Sequence, residues 1–320
     1  MDEEQGGTKP GHGLGQSKAM SKVPIDLRVS GAGGLVKLSP VDTVPDAQDL
    51  EAWSRALPDW SRNPDIYGSI VDTGDGSARQ NARHDVSPDT LRALYGLIWR
   101  LNCFTKPAVG LMAGATSAWA FALAHAGTHR AAGADFQVKI PAPDNAATKC
   151  APMYGLAHAL AEMPFALGPY LALTGIPLRR ADAYALGLMT HCIDVDAFPA
   201  IAAGICGADP VDPLLDDRHA EPAAGAVMTN RTWIERCFSA KSITEILDRL
   251  GRETDPGALA ARASLAGQPP LALDARLALV RRAASVDLRA ALIDDFAACT
   301  PAGTPPLELI SRDALQAPQT

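Results

Sequence analysis

The chain has no C-x-x-C pair. Its six cysteines, Cys103, Cys150, Cys192, Cys206, Cys237 and Cys299, are scattered one at a time. Zinc ligation needs clustered soft ligands, so no metal site is expected. Isolated thiols in an apolar setting read as packing residues and suit a reducing cytoplasm. Positive charge is also short: 29 basic residues face 36 acidic ones, for a net charge of −7. A nucleic-acid binder needs a concentrated basic surface, so no such partner is expected, while a local basic pocket for one anionic ligand stays open. No signal-peptide leader is expected at the N-terminus. Residues 1–22 begin with acids, continue in glycine and polar residues, and read as a flexible tail. No G-x-S-x-G occurs, which removes an α/β-hydrolase nucleophile.

What is present is apolar content, 47% of 320 residues, enough to bury a core without a disulfide or metal staple. That length allows one large domain or two small ones. One stretch imitates a membrane span: residues 108–127 hold no Lys, Arg, Asp or Glu. Its three glycines and eight alanines give it little bulk, and it reads instead as a buried strand from Pro107 to Met112 followed by a small-residue helix from about Ser117. No membrane partner is expected.

Strand and helix signals alternate through the first half. A short strand near Leu35 precedes a helix over 46–61, where Leu50, Trp53, Leu57 and Trp60 recur at spacings of three and four. A strand over Ile66–Val71 follows. Ser87-Pro88 then starts a helix, with serine as N-cap and proline at the first position. A further strand is expected near Phe136–Ile140. After about residue 195 the strand signals stop. Capping boxes at Thr232-x-x-Glu235 and Ser242-x-x-Glu245 open helices, and two more are expected across Leu271–Ala284 and Val286–Cys299. The expectation is an α/β core over 23–195 and a helical C-terminal region over 196–320.

Three stretches together carry a family likeness. They are Lys106-Pro107-Ala108-Val109 with Met112-Ala113-Gly114; the run from Ala126 to Ala132; and Leu167-Gly168-Pro169-Tyr170-Leu171-Ala172-Leu173-Thr174-Gly175, continued by Ala181-Asp182-Ala183 and Gly187-Leu188-Met189-Thr190-His191. They resemble the crotonase (enoyl-CoA hydratase/isomerase) superfamily, and the last is similar to its 3-hydroxyisobutyryl-CoA hydrolase branch. The likeness extends from about residue 30 to residue 300. It implies a crotonase-like spiral of ββα units with a helical C-terminal section and an acyl-CoA in a bent channel. It implies no separate cofactor, CoA arriving as part of the substrate, and leaves homo-oligomerisation open. It also implies an oxyanion hole of two backbone N–H groups, placed at His84 and Trp119. Preorganised donors aimed at the developing negative charge supply about 2.7–4 kcal/mol each.

The same comparison shows departures. The family's glycine runs are replaced around His84 and by Ala118-Trp119-Ala120. Met153 stands where the family has an aspartate, and methionine neither carries charge nor exchanges a proton. Asn145 falls at the family's glutamate position. A shift of one residue brings Pro143-Asp144 into that register instead, making Asp144 the candidate acid or base. A surface turn is the plain alternative for Asp144 and Asn145. His129 and His191 read as structural histidines, Arg179-Arg180 as a solvated pair able to meet CoA phosphates, and Cys150 as a thiol with no evident base. The expected function is therefore an acyl-CoA thioester hydrolase with relocated carboxylate chemistry. The alternatives are a catalytically inactive crotonase-fold protein that binds CoA or a partner, and enoyl-CoA hydratase/isomerase chemistry.

Overall fold

The computed structural model describes residues 25–39, 44–74, 86–141 and 151–316. Strands β1 (Ile25–Ser30) and β2 (Gly33–Leu38) form an antiparallel hairpin. Helix α1 (Ala47–Arg62) follows, buried along Leu50, Trp53, Leu57 and Trp60 as their spacing predicts. After β3 (Gly68–Asp72) comes α2 (Pro88–Asn102), where the Ser87 hydroxyl accepts the Thr90 N–H. Then follow β4 (Ala108–Met112), β5 (Ala115–Thr116), α3 (Ala118–His125), β6 (His129–Ala132) and β7 (Gln137–Lys139). Short helices α4 (Ala157–Ala161) and α5 (Leu167–Thr174) lead to β8 (Pro177–Arg179), α6 (Arg180–Ala185) and β9 (His191–Cys192).

From there the described chain is helical: α7 (Phe198–Cys206), α8 (Val211–Asp216), α9 (Ala226–Thr229), α10 (Arg231–Phe238), α11 (Ile243–Leu250), α12 (Pro256–Ala266), α13 (Pro270–Ala283) and α14 (Leu288–Cys299). One start signal is corrected. Helix α10 begins at Arg231 with Asn230 as its N-cap, so Thr232 lies inside the helix and its capping box does not form. The reason is local: α9 ends on the same Asn230, leaving no extended residue at Thr232. The Ser242 cap does form, its hydroxyl accepting the Glu245 N–H at 3.2 Å.

The large sheet runs in the order β1-β2-β3-β4-β6-β9, parallel from β2 onward, with Ile70 opposite Val109 and Gly110 opposite Arg130. A second sheet runs β5-β7-β8. Successive strands β4 and β5, then β6 and β7, are divided between the two sheets, with helices after each pair. This is the expected spiral of ββα turns.

Strand side chains alternate between faces, and the core divides accordingly. Val71 and Met112 belong to a large cluster with α1, α2, α3 and the C-terminal helices. Their neighbours Ile70, Val109 and Leu111 belong to a smaller one with Ile201 and Ile205 of α7. The residues 108–127 are buried strand and short helix, and no helix among the described residues is long and apolar enough to cross a membrane.

Candidate active site

The site assembles where β4 hands over to α3. Ser117 is extended (φ −69°, ψ 151°), as an N-cap residue should be, but its hydroxyl caps nothing. The first N–H groups of a helix have no acceptor within it. The N–H groups of Ala118, Trp119 and Ala120 therefore point out of the first turn, at the positive end of the helix dipole. Trp119 is buried, 1% exposed, and its indole Nε1 has no protein acceptor.

The other sequence-picked position, Met153, lies in the segment 151–155. Met153 is fully buried. Two left-handed residues in succession, Tyr154 (φ 54°) and Gly155 (φ 79°), turn the chain sharply. At Gly155 a Cβ would stand 2.4 Å from Leu292 Cδ2, so a side chain there would displace that leucine tip, and the positive φ favours glycine.

This turn is held from the C-terminal helices. The Asp295 carboxylate on α14 accepts the Gly155 N–H at 2.8 Å, the Tyr95 hydroxyl at 2.8 Å and, more weakly, the Met153 N–H at 3.4 Å. Arg276 on α13 is fully buried and donates Nη2–H to the Ala151 carbonyl at 2.8 Å. Burial raises the Asp295 pKa, opposed by the donors from Gly155 and Tyr95, the Arg276 charge and the Met153 N–H. Three donors occupy its two oxygens, so Asp295 holds the backbone of the turn in place.

Asp295, Arg276 and Tyr95 were not among the residues picked from sequence. A signal was nevertheless present, because Asp295 shares a helical stripe with Leu292, Phe296 and Cys299, at spacings that place an acid on a buried face.

Of the positions picked from sequence, Trp119 and Met153 are both in the large core cluster. His84, Asp144, Asn145 and Cys150 lie outside the described residues. His129 and His191 sit at the starts of β6 and β9 in matching arrangements. Their Nδ1 atoms share hydrogen bonds with the Thr128 and Thr190 hydroxyls at 2.8 Å, and their Nε2–H groups donate to Asp212 and Asp216 at 3.0 Å. Both histidines are satisfied structural groups. Arg179 is exposed at the end of β8, and Arg180 stands 4.0 Å from Asp194. No group of three or more His, Cys, Asp or Glu side chains able to hold a metal occurs among the described residues.

Comparison with known proteins gives a consistent picture. Residues 70–302 match the family described as Enoyl-CoA hydratase/isomerase. The chain is 27% identical over 261 residues to a 3-hydroxyisobutyryl-CoA hydrolase-like protein of Arabidopsis thaliana, covering 74% of this chain and 64% of that protein. It is 24% identical over 271 residues to the 3-hydroxyisobutyryl-CoA hydrolase of Rattus norvegicus, covering 77% and 69%. It therefore spans just under two thirds of the Arabidopsis relative's length. Among solved structures, a carnitinyl-CoA dehydratase from Mycobacterium thermoresistibile superposes with a TM-score of 0.74 at 22% identity, over 85% of this chain and 84% of the other. That likeness shows a shared fold.

Proposed function

The chain belongs to the enoyl-CoA hydratase/isomerase family, and from that premise we propose that it binds a short acyl-CoA thioester and acts as a 3-hydroxyisobutyryl-CoA hydrolase-like protein. The observation that carries this reading is the open first turn of α3, where Ser117 leaves the Trp119 N–H uncapped. Thioester cleavage places negative charge on the carbonyl oxygen. Backbone N–H groups already fixed in place stabilise that charge without reorganising. In this reading the N–H groups of Trp119 and His84 hold the oxygen. The pinned 151–155 turn forms the wall opposite, and Asp144 takes the proton of the attacking water. CoA enters with the substrate, so no separate cofactor is invoked. The dispersed, mostly buried thiols support a reducing compartment, the cytoplasm.

Met153 favours a second reading. A fully buried thioether at the family's carboxylate position removes an acid/base group while leaving the turn intact, which fits a protein that binds the thioester without turning it over. Thiol release from 3-hydroxyisobutyryl-CoA, measured beside calorimetric CoA binding for the native chain and Asp144→Asn, separates the two. Release by the native chain that Asp144→Asn abolishes is the result expected of the hydrolase. Binding without release by either protein selects the second reading, and absence of both binding and release overturns the thioester assignment.

A further inference from the structure

At the end of α3 away from Trp119 lies a cavity of about 260 Å³, closed on its sides by α2, α4, β6 and α14. Its polar lining is unusual for its sign. His125, Arg130 and His158 all face it, against one carboxylate, Glu162, which is exposed. Arg130 has no carboxylate within ion-pair range among the described residues. Its guanidinium makes two long bonds, Nη1–H to the Gly127 carbonyl at 3.3 Å and Nη2–H to the Gly187 carbonyl at 3.4 Å, while its buried Nε–H has no protein acceptor. A guanidinium carries five N–H donors, so most of its capacity is unused. The remaining wall is apolar: Ile98 of α2, Leu156 before α4, and Leu288 of α14.

We propose that this cavity binds a short-chain carboxylate, with the carboxylate paired to Arg130 between His125 and His158 and the hydrocarbon against Ile98, Leu156 and Leu288. Tyr154 and Gly155 of the 151–155 turn also line this cavity, but the assignment uses none of the residues at the first turn of α3, so loss of the thioester reading leaves it standing. The volume suits a molecule of a few carbons, below the usual range for drug-sized ligands. An apolar wall opposite one cation selects a monocarboxylate over inorganic phosphate, which would leave that wall unfilled and strand its own oxygens.

The electrostatics supply an internal reporter. Burial, then the Arg130 charge, then His158, hold the His125 pKa down at about 3. The other groups around it are Glu162 at the end of α4, the Tyr154 hydroxyl, the neutral Asn102 on α2 and the Phe121 ring, 5.4 Å away centroid to centroid. A bound anion offsets the Arg130 charge and favours the imidazolium. Carboxylate binding therefore raises the His125 pKa.

The test is calorimetry of the full chain with sodium butyrate and, separately, with inorganic phosphate, together with an NMR pH titration of the His125 ring. The expected result is saturable millimolar butyrate binding, an upward shift of the His125 titration with butyrate, and no saturable phosphate binding. Arg130→Met should weaken butyrate by at least about tenfold, the loss of one charge-assisted pair. Ala159→Leu, which fills the cavity without touching a charge, decides the matter where Arg130→Met fails to fold, and it should abolish binding. No saturable butyrate heat, phosphate bound as tightly as butyrate, an unmoved His125, or native butyrate affinity in Ala159→Leu would each overturn the proposal.

Discussion

Asp295 shows how much one side chain can hold. It joins α14 to α2 through the Tyr95 hydroxyl and to the 151–155 turn through the Gly155 and Met153 N–H groups. Asp295→Ala leaves those donors buried without an acceptor and should cost about 3 kcal/mol or more, read as a lower urea midpoint. Asp295→Asn keeps one acceptor oxygen and should cost less. The pH dependence has a definite sign. Because burial raises the folded pKa above the unfolded one, the stability contributed by this group is complete below the ordinary carboxylate value. It is lost as pH rises through the folded value. The deficit of Asp295→Asn relative to the native chain should therefore shrink as pH rises across that window, measured as urea midpoints over a pH series. A deficit that grows with pH would show that the donors, not burial, govern this carboxylate.

At the scale of elements, close backbone approach and open space make opposite demands on glycine. Gly168 of α5 lies against α4, and a Cβ there would fall 1.8 Å from the Leu160 carbonyl oxygen. Gly168→Ala must push the two helices apart and should cost about 3 kcal/mol. Gly96, inside α2, has nothing within 4 Å of an added Cβ. Gly96→Ala should stabilise by about 0.5–1 kcal/mol through helix propensity alone. Thermal denaturation of the pair checks both signs.

The elements themselves were largely legible. The spacing of Leu50, Trp53, Leu57 and Trp60 marked α1, Ser87-Pro88 marked α2, and the apolar run after Pro107 marked β4, because these signals act over a few neighbouring residues. The N-cap box at Thr232 misled for the same reason, since Asn230, shared with the preceding helix, decides that boundary. The site was legible in part. Trp119 and Met153 stood out against the family pattern. The clamp of Asp295, Tyr95 and Arg276 joins residues up to 200 positions apart, which local spacing does not report.

Over the whole molecule, the segment 305–310 binds the helical layer together. Arg92 of α2 donates to the carbonyls of Pro306 and Pro305, both at 2.6 Å, Trp99 Nε1–H to that of Ile310 at 2.6 Å, and Arg289 Nε–H of α14 to that of Leu309 at 3.0 Å. Leu307 and Leu309 are buried beside them. A chain ending at Thr304 should lose on the order of 5 kcal/mol, from two buried leucines and the bonds that accompany them. It should melt at a lower temperature, and protease should cut α2 and α14 sooner than the sheet strands. An unchanged melting temperature would show the segment to be a passenger.

This strap also sets a timetable. Its partners on α2 are separated from it by more than 200 residues, so during synthesis α2 leaves the ribosome long before the segment that fastens it. Until then Arg92 and Trp99 lack those acceptors on the nascent chain. Handling by chaperones should fall in that interval, and a stalled product lacking its last few dozen residues should be recognised by the cell as unfinished.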